Sequence, residues 1–214
     1  MTLCTIAAGA KFGVYTLILS VYASLWIDQY NQSKEMASLH YISISLGTII
    51  GALVGGRLMD FIWRRMNARA GAHGETAPPE YRVPHMVLGA IPAILFLFLF
   101  GWAGHLHWHW LVVDMSIALF SLADCIFFQG LLAYVVDEFG SKRAASADAA
   151  MRLLSYTVGF AFPIFAPSLE KKFGYGVGIS ILCVVLTVVF AVMLPVLWLH
   201  GDKLRAMGRR AEDT

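Results

Sequence analysis

Apolar residues fill six stretches of this chain, and polar residues collect in the gaps between them. A bilayer core about 30 Å thick is crossed by about 20 helical residues at 1.5 Å rise each. The stretches cover 12–27, 37–56, 83–104, 108–136, 152–169 and 173–201. The third and sixth hold no Asp, Glu, Lys or Arg, whereas Asp114 and Asp124 interrupt the fourth and Ala144–Met151 forms a polar lead into the fifth. Hydrocarbon offers no partner to a free backbone N–H or C=O, so such runs should be helices. The alternation of a membrane barrel is absent from the sequence. The pattern predicts an all-α integral membrane bundle over 1–202, with a loop at 60–82 and a polar tail at 203–214.

Composition changes the picture only by excluding alternatives. Of 214 residues, 58% are hydrophobic and 14% charged, with a mean hydropathy of +0.67. Soluble domains carry about 25% charged residues, so lipid is the expected solvent. The net charge of +2 offers no basic surface for nucleic acid. Cys4, Cys125 and Cys183 lie in apolar runs without metal-ligand spacing and read as small buried hydrophobes. His105, His107 and His109 alternate, as in an extended loop, with no acid or cysteine beside them, so neither a metal nor another cofactor is expected. No nucleophile motif, phosphate loop or metalloprotease helix is present, so an enzyme is not expected.

Charge placement orients the bundle. Lys11, Arg57, Arg64, Arg65, Arg69, Arg82, Lys142, Arg143, Arg152, Lys203, Arg205, Arg209 and Arg210 fall on one face, against Lys34, Lys171 and Lys172 on the other. The basic face should be cytoplasmic, which puts both termini inside. In that count Lys11 flanks the first span, although the span could also start before it.

Polar groups inside spans are expensive and tend to face the bundle interior. Asp124, halfway along the fourth span, is the leading candidate for a proton or substrate pathway, with Gln129 further along the same helix. Tyr15 and Tyr22 of the first span and His40 of the second could line the same cavity. Asp114 and Asp28 read as charges near span ends. Gly47, Gly51 and Gly55 share one face of the second span and suit close helix packing, with a dimer face as the alternative. Asp148 and Arg152, four apart with the acid first, can pair on one helix face.

Two sets of residues carry a family resemblance. Gly55-Gly56-Arg57-Leu58-Met59-Asp60-Phe61-Ile62-Trp63-Arg64-Arg65 resembles the glycine–aspartate–basic signature that follows the second span of each half of the major facilitator superfamily. The resemblance implies a cytoplasmic gating latch built on Gly56, Arg57, Asp60, Arg64 and Arg65, although Phe61 stands where the signature usually has a base. Tyr134–Phe139, Ala144–Ala150, Gly159–Ala166 and Phe173–Gly178 are similar, in order and spacing, to the last three spans of fungal drug:proton antiporters. There an arginine is expected where this chain has Ser155, while Arg152 sits earlier. The resemblance implies the second six-helix half of a major facilitator fold. Its expected work is proton-coupled efflux of a small amphipathic compound, such as a drug, toxin or secondary metabolite, across the plasma membrane. The implied partners are lipid, substrate, proton and a further six-helix half. Three arrangements are open: a truncated product, a half completed by another polypeptide, or a homodimer. A six-span scaffold or regulatory half-transporter without flux of its own is the rival function.

Overall fold

The computed structural model describes residues 2–71 and 78–212, with side-chain surroundings for 2–68, 78–140, 143–169 and 171–201. Six helices are long and apolar enough to cross a membrane: α1 (Thr2–Gln29), α2 (Lys34–Ala68), α3 (Pro79–His105), α4 (Trp110–Gly140), α5 (Arg143–Leu169) and α6 (Lys171–Gly201). No strand occurs among the described residues. The chain is an all-α bundle, an integral protein of the membrane that it crosses repeatedly. Positions 72–77 of the expected loop lie outside the described residues, as do the side chains of Arg69, Lys142, Lys203, Arg205, Arg209 and Arg210.

The helices outrun the apolar runs. The first, expected from Phe12 with a start before Lys11 left open, is helical from Thr2. The second stays helical to Gly71, through about three turns of the expected loop. Beyond α6 the backbone remains helical to Glu212, through most of the expected tail. Hydropathy measures the length that lipid tolerates, whereas helix persists wherever good formers continue without proline. Phe61–Ala70, with three arginines, a methionine and two alanines, is such a stretch.

The turns are set locally. Asn31 takes φ +51° after α1, and the Ser33 hydroxyl caps α2 by accepting from the Met36 N–H. At the end of α3, the Leu106 and Trp108 N–H groups bond back to the Trp102 and Ala103 carbonyls, with His107 at φ +53°. Gly140 (φ 66°, ψ 168°) and Gly174 (φ 71°, ψ 173°) break the helical path between α4 and α5 and near the start of α6. Both conformations are close to glycine-only.

The core lies where α1 and α4 meet α3 and α6. Half of the apolar window of α1 and of α4 is buried, against 22% for α2 and for α5. Tyr22, Trp26, Phe100, Phe120 and Phe127 are the largest enclosed rings. In lipid there is no hydrophobic drive to join helices, so close backbone approach must hold them. Gly47 and Gly51 of α2 press on the backbone of α4 at Ala118 and Leu122, and Gly89 of α3 presses on Phe127. A side chain at these positions would drive the helices apart. The glycine face of α2 thus packs inside the bundle against α4. On the outward sides of α2 and α5, Leu53, Leu153, Phe160 and Ile164 are exposed.

Candidate functional site

Helix α4 carries two carboxylates into the bundle, ten positions apart. Asp124 is buried, and its Oδ2 lies 2.8 Å from Lys11 Nζ on α1. Because α1 begins at Thr2, Lys11 sits about two and a half turns inside the helix rather than at its flank. The flanking role assigned to it from sequence is therefore corrected. A charge placed deep in an apolar helix is tolerated when it meets its opposite, and the positive-inside pattern does not register that case. The Lys11 ammonium also lies 4.7 Å from the centroid of the Phe128 ring and 5.8 Å from that of Tyr15. Both rings offer it the negative face of their π systems.

Gln129 is not part of this pair. Its Nε2 donates to the Ala52 carbonyl at 3.2 Å, and its side chain abuts Gly55. It joins α4 to α2 on another side of the helix. Asp148 and Arg152 pair on α5, with Nε donating to Oδ2 at 2.8 Å. The Arg152 guanidinium lies 5.8 Å from the Phe128 centroid, so two cations approach the Phe128 ring.

Asp114, nearer the opposite end of α4, is no loose interfacial charge. Tyr22 of α1 donates its hydroxyl to Oδ1 at 2.9 Å, and His40 Nδ1 meets Oδ2 at 2.7 Å. His40 Nε2 lies 2.9 Å from Gln32 Oε1, so both ring nitrogens face oxygens. Trp26 stacks flat on the His40 ring, with centroids 3.6 Å apart and planes 6° apart. Ser43 donates to the His40 carbonyl at 2.6 Å and lies 3.2 Å from the Tyr22 hydroxyl. Tyr22 and His40 are thus brought together, but around Asp114 rather than Asp124. A half-buried carboxylate needs donors, and the turn at Asn31 folds His40 back over the end of α1 to meet it, with Gln32 Oε1 set against the other ring nitrogen.

The expected latch residues lie at the end of the bundle where Thr2 and Gly201 line one small cavity. Asp60, Arg57, Arg64 and Arg65 are exposed there, with Gly56 beside them. Among the described ion pairs none includes Asp60, Arg64 or Arg65. The described contact at this end is instead between Arg82 and Asp137 at 2.8 Å, with the guanidinium 3.9 Å from the centroid of the Trp63 ring. It ties the start of α3 to the ends of α2 and α4. The sequence held a signal for it: an arginine opening one apolar run and an acid closing the next. Among the described residues no cluster of His, Cys, Asp and Glu suited to a metal occurs.

Comparison with known proteins adds a consistent set of relatives. The chain is 37% identical over 200 residues to a protein of Aspergillus flavus named "probable efflux pump mfs2", covering 94% of this chain and 46% of that protein. It is 34% identical over 201 residues to efflux pump vrtL of Penicillium aethiopicum, covering 94% of this chain and 39% of that protein. It is 34% identical over 197 residues to the MFS-type transporter oryF of Aspergillus oryzae, covering 92% of this chain and 40% of that protein. The chain spans somewhat under half the length of these relatives. No family model and no solved structure matches it.

Proposed function

This chain is one six-helix half of a major facilitator fold, similar along nearly its whole length to fungal efflux transporters, and from that premise we propose that it works in proton-coupled export of a small amphipathic compound. The single observation that carries the coupling is the Lys11–Asp124 pair between α1 and α4, buried within the bundle. A proton taken by Asp124 removes the negative charge that holds Lys11, so α1 and α4 lose their tie when the acid is protonated. When the proton leaves, the pair re-forms. A group whose protonation changes the contact between two helices can link proton movement to a rocking motion.

The substrate site belongs near the midplane against a second six-helix half, as in transporters built from repeats. The sparse burial of α2 and α5, 22% each, suits helices that meet that second half. Whether it comes from the same polypeptide, another chain or a second copy, its place is on the face that α2 and α5 flank. The basic residues Arg57, Arg64, Arg65, Arg82 and Arg143 gather at the end of the bundle that holds Thr2 and Gly201. We assign that end to the cytoplasm, with both termini inside, and take the plasma membrane as the location from the similarity to efflux pumps.

The test is pH-gradient-driven efflux of a panel of amphipathic dyes from cells that express the transporter. Asp124→Asn should abolish gradient-driven efflux while leaving exchange of dye down its own gradient. Gradient-driven efflux at the normal rate in Asp124→Asn refutes the coupling role.

A further inference from the structure

Between α1, α4 and α5 lies a cavity of about 130 Å³. It is lined by Lys11, Phe12, Phe128, Arg152, Ser155 and Tyr156 among others. Both charged residues on its wall are cations. Their carboxylate partners, Asp124 and Asp148, hold them from outside the lining. An ammonium has three donors and a guanidinium five, so each cation keeps N–H groups beyond the one given to its aspartate. The remaining wall is three aromatic rings with Ala8, Met151 and Ser155. Phe12 and Tyr156 meet edge to face with centroids 5.3 Å apart, and the Phe128 centroid lies 4.7 Å from the Lys11 ammonium and 5.8 Å from the Arg152 guanidinium. An apolar cavity of about 150 Å³ takes a benzene ring, so this one has room for one ring-sized piece of a ligand.

We propose that this cavity binds the carboxylate end of an aromatic organic acid, with Lys11 and Arg152 holding the oxyanion and Phe12, Phe128 and Tyr156 holding the ring. The inference rests on the transport reading and narrows its amphipathic substrate to an anion. Lysine and arginine donate charge-assisted bonds to a carboxylate, which are roughly twice as strong as neutral ones. A ligand ammonium would instead meet two like charges. The three elements of the site are fixed before binding: Lys11 by Asp124, Arg152 by Asp148, and Phe128 one turn beyond Asp124 on the same helix. Ser155 lines the cavity with its hydroxyl already donated to the Met151 carbonyl at 2.8 Å, which leaves its oxygen as an acceptor.

The test compares three probes of one shape, benzoate, benzyl alcohol and benzylamine, by equilibrium dialysis against the purified chain in phosphatidylcholine nanodiscs. Benzoate should bind about ten-fold tighter than the alcohol, and the amine weakest, as expected for one charge-assisted contact. Arg152→Gln should bring benzoate down to the alcohol without moving the alcohol. The Arg152 side chain is 41% exposed, so this variant keeps its fold. Lys11→Gln/Asp124→Asn, which removes both members of the buried pair together, should have the same effect. Equal affinity for the three probes, preference for the amine, or benzoate binding unchanged in both variants would overturn the proposal. Displacement of benzoate by inorganic phosphate as readily as by unlabelled benzoate would assign the cations to a phosphate and overturn it too. Selective benzoate binding with export of neither benzoate nor any dye would sink the transport reading and leave the site intact. Export of uncharged dyes without selective benzoate binding would do the reverse.

Discussion

The two carboxylates of α4 are held in opposite ways. Asp114 is met by Tyr22 and His40, and His40 in turn is fixed by Gln32 and the Trp26 ring. Asp124 is met by Lys11 alone among the described hydrogen bonds and ion pairs. The first is a network drawn from α1, the turn after it, and α2. The second is a single contact between two helices. A network shares a loss among its members, so one substitution leaves most of it standing. A single buried pair has only two states, made or broken, and breaking it leaves a charge without a partner. Under the proposed coupling the difference separates a clamp from a switch: α4 is pinned to α1 and α2 at its Asp114 end and would part from α1 at Asp124.

The substitutions that probe this contrast differ in size. Lys11→Met should have the largest effect. It leaves Asp124 buried without its partner and should cost about 3–5 kcal/mol, read from denaturant unfolding in mixed micelles. Lys11→Met/Asp124→Leu should recover most of that loss, since an apolar replacement of a buried pair is often neutral. Asp114→Asn should cost less, about 1–3 kcal/mol, because one amide oxygen still accepts from Tyr22 or His40. Tyr22→Phe should cost about 1 kcal/mol, and in a double-mutant cycle with Asp114→Asn the two should couple by at least about 0.5 kcal/mol. Additive behaviour would break the network description. Asp60→Asn should stay within about 0.5 kcal/mol of the parent, as an exposed acid outside the described ion pairs. A large loss there would place the latch on Asp60 rather than on Arg82, Asp137 and Trp63.

The bundle was legible because lipid imposes a length and a composition that six runs of this chain meet. The true ends of the helices were not, since nothing in hydropathy distinguishes a charged helix from a charged loop; Asp60–Gly71 is the example. Asp124 stood out as an acid within an apolar run. Lys11 did not, because a lysine ten residues after an apolar start looks like a flank until the helix is seen to begin at Thr2. Tyr22 and His40 were recognisable as polar groups on apolar helices. Their meeting with Asp114 joins positions 74 and 92 residues apart in sequence, and no local pattern records such a contact. The same holds for Arg82 and Asp137, 55 residues apart.

The charge swap Lys11→Asp/Asp124→Lys tests the central claim most directly, with thermal unfolding of the purified chain in detergent as the readout. Each single change puts two like charges between α1 and α4 and should lower the melting temperature steeply, while the swapped pair should melt close to the parent. A swap no more stable than either single variant, or single variants that melt like the parent, would contradict the account that this pair joins the two helices.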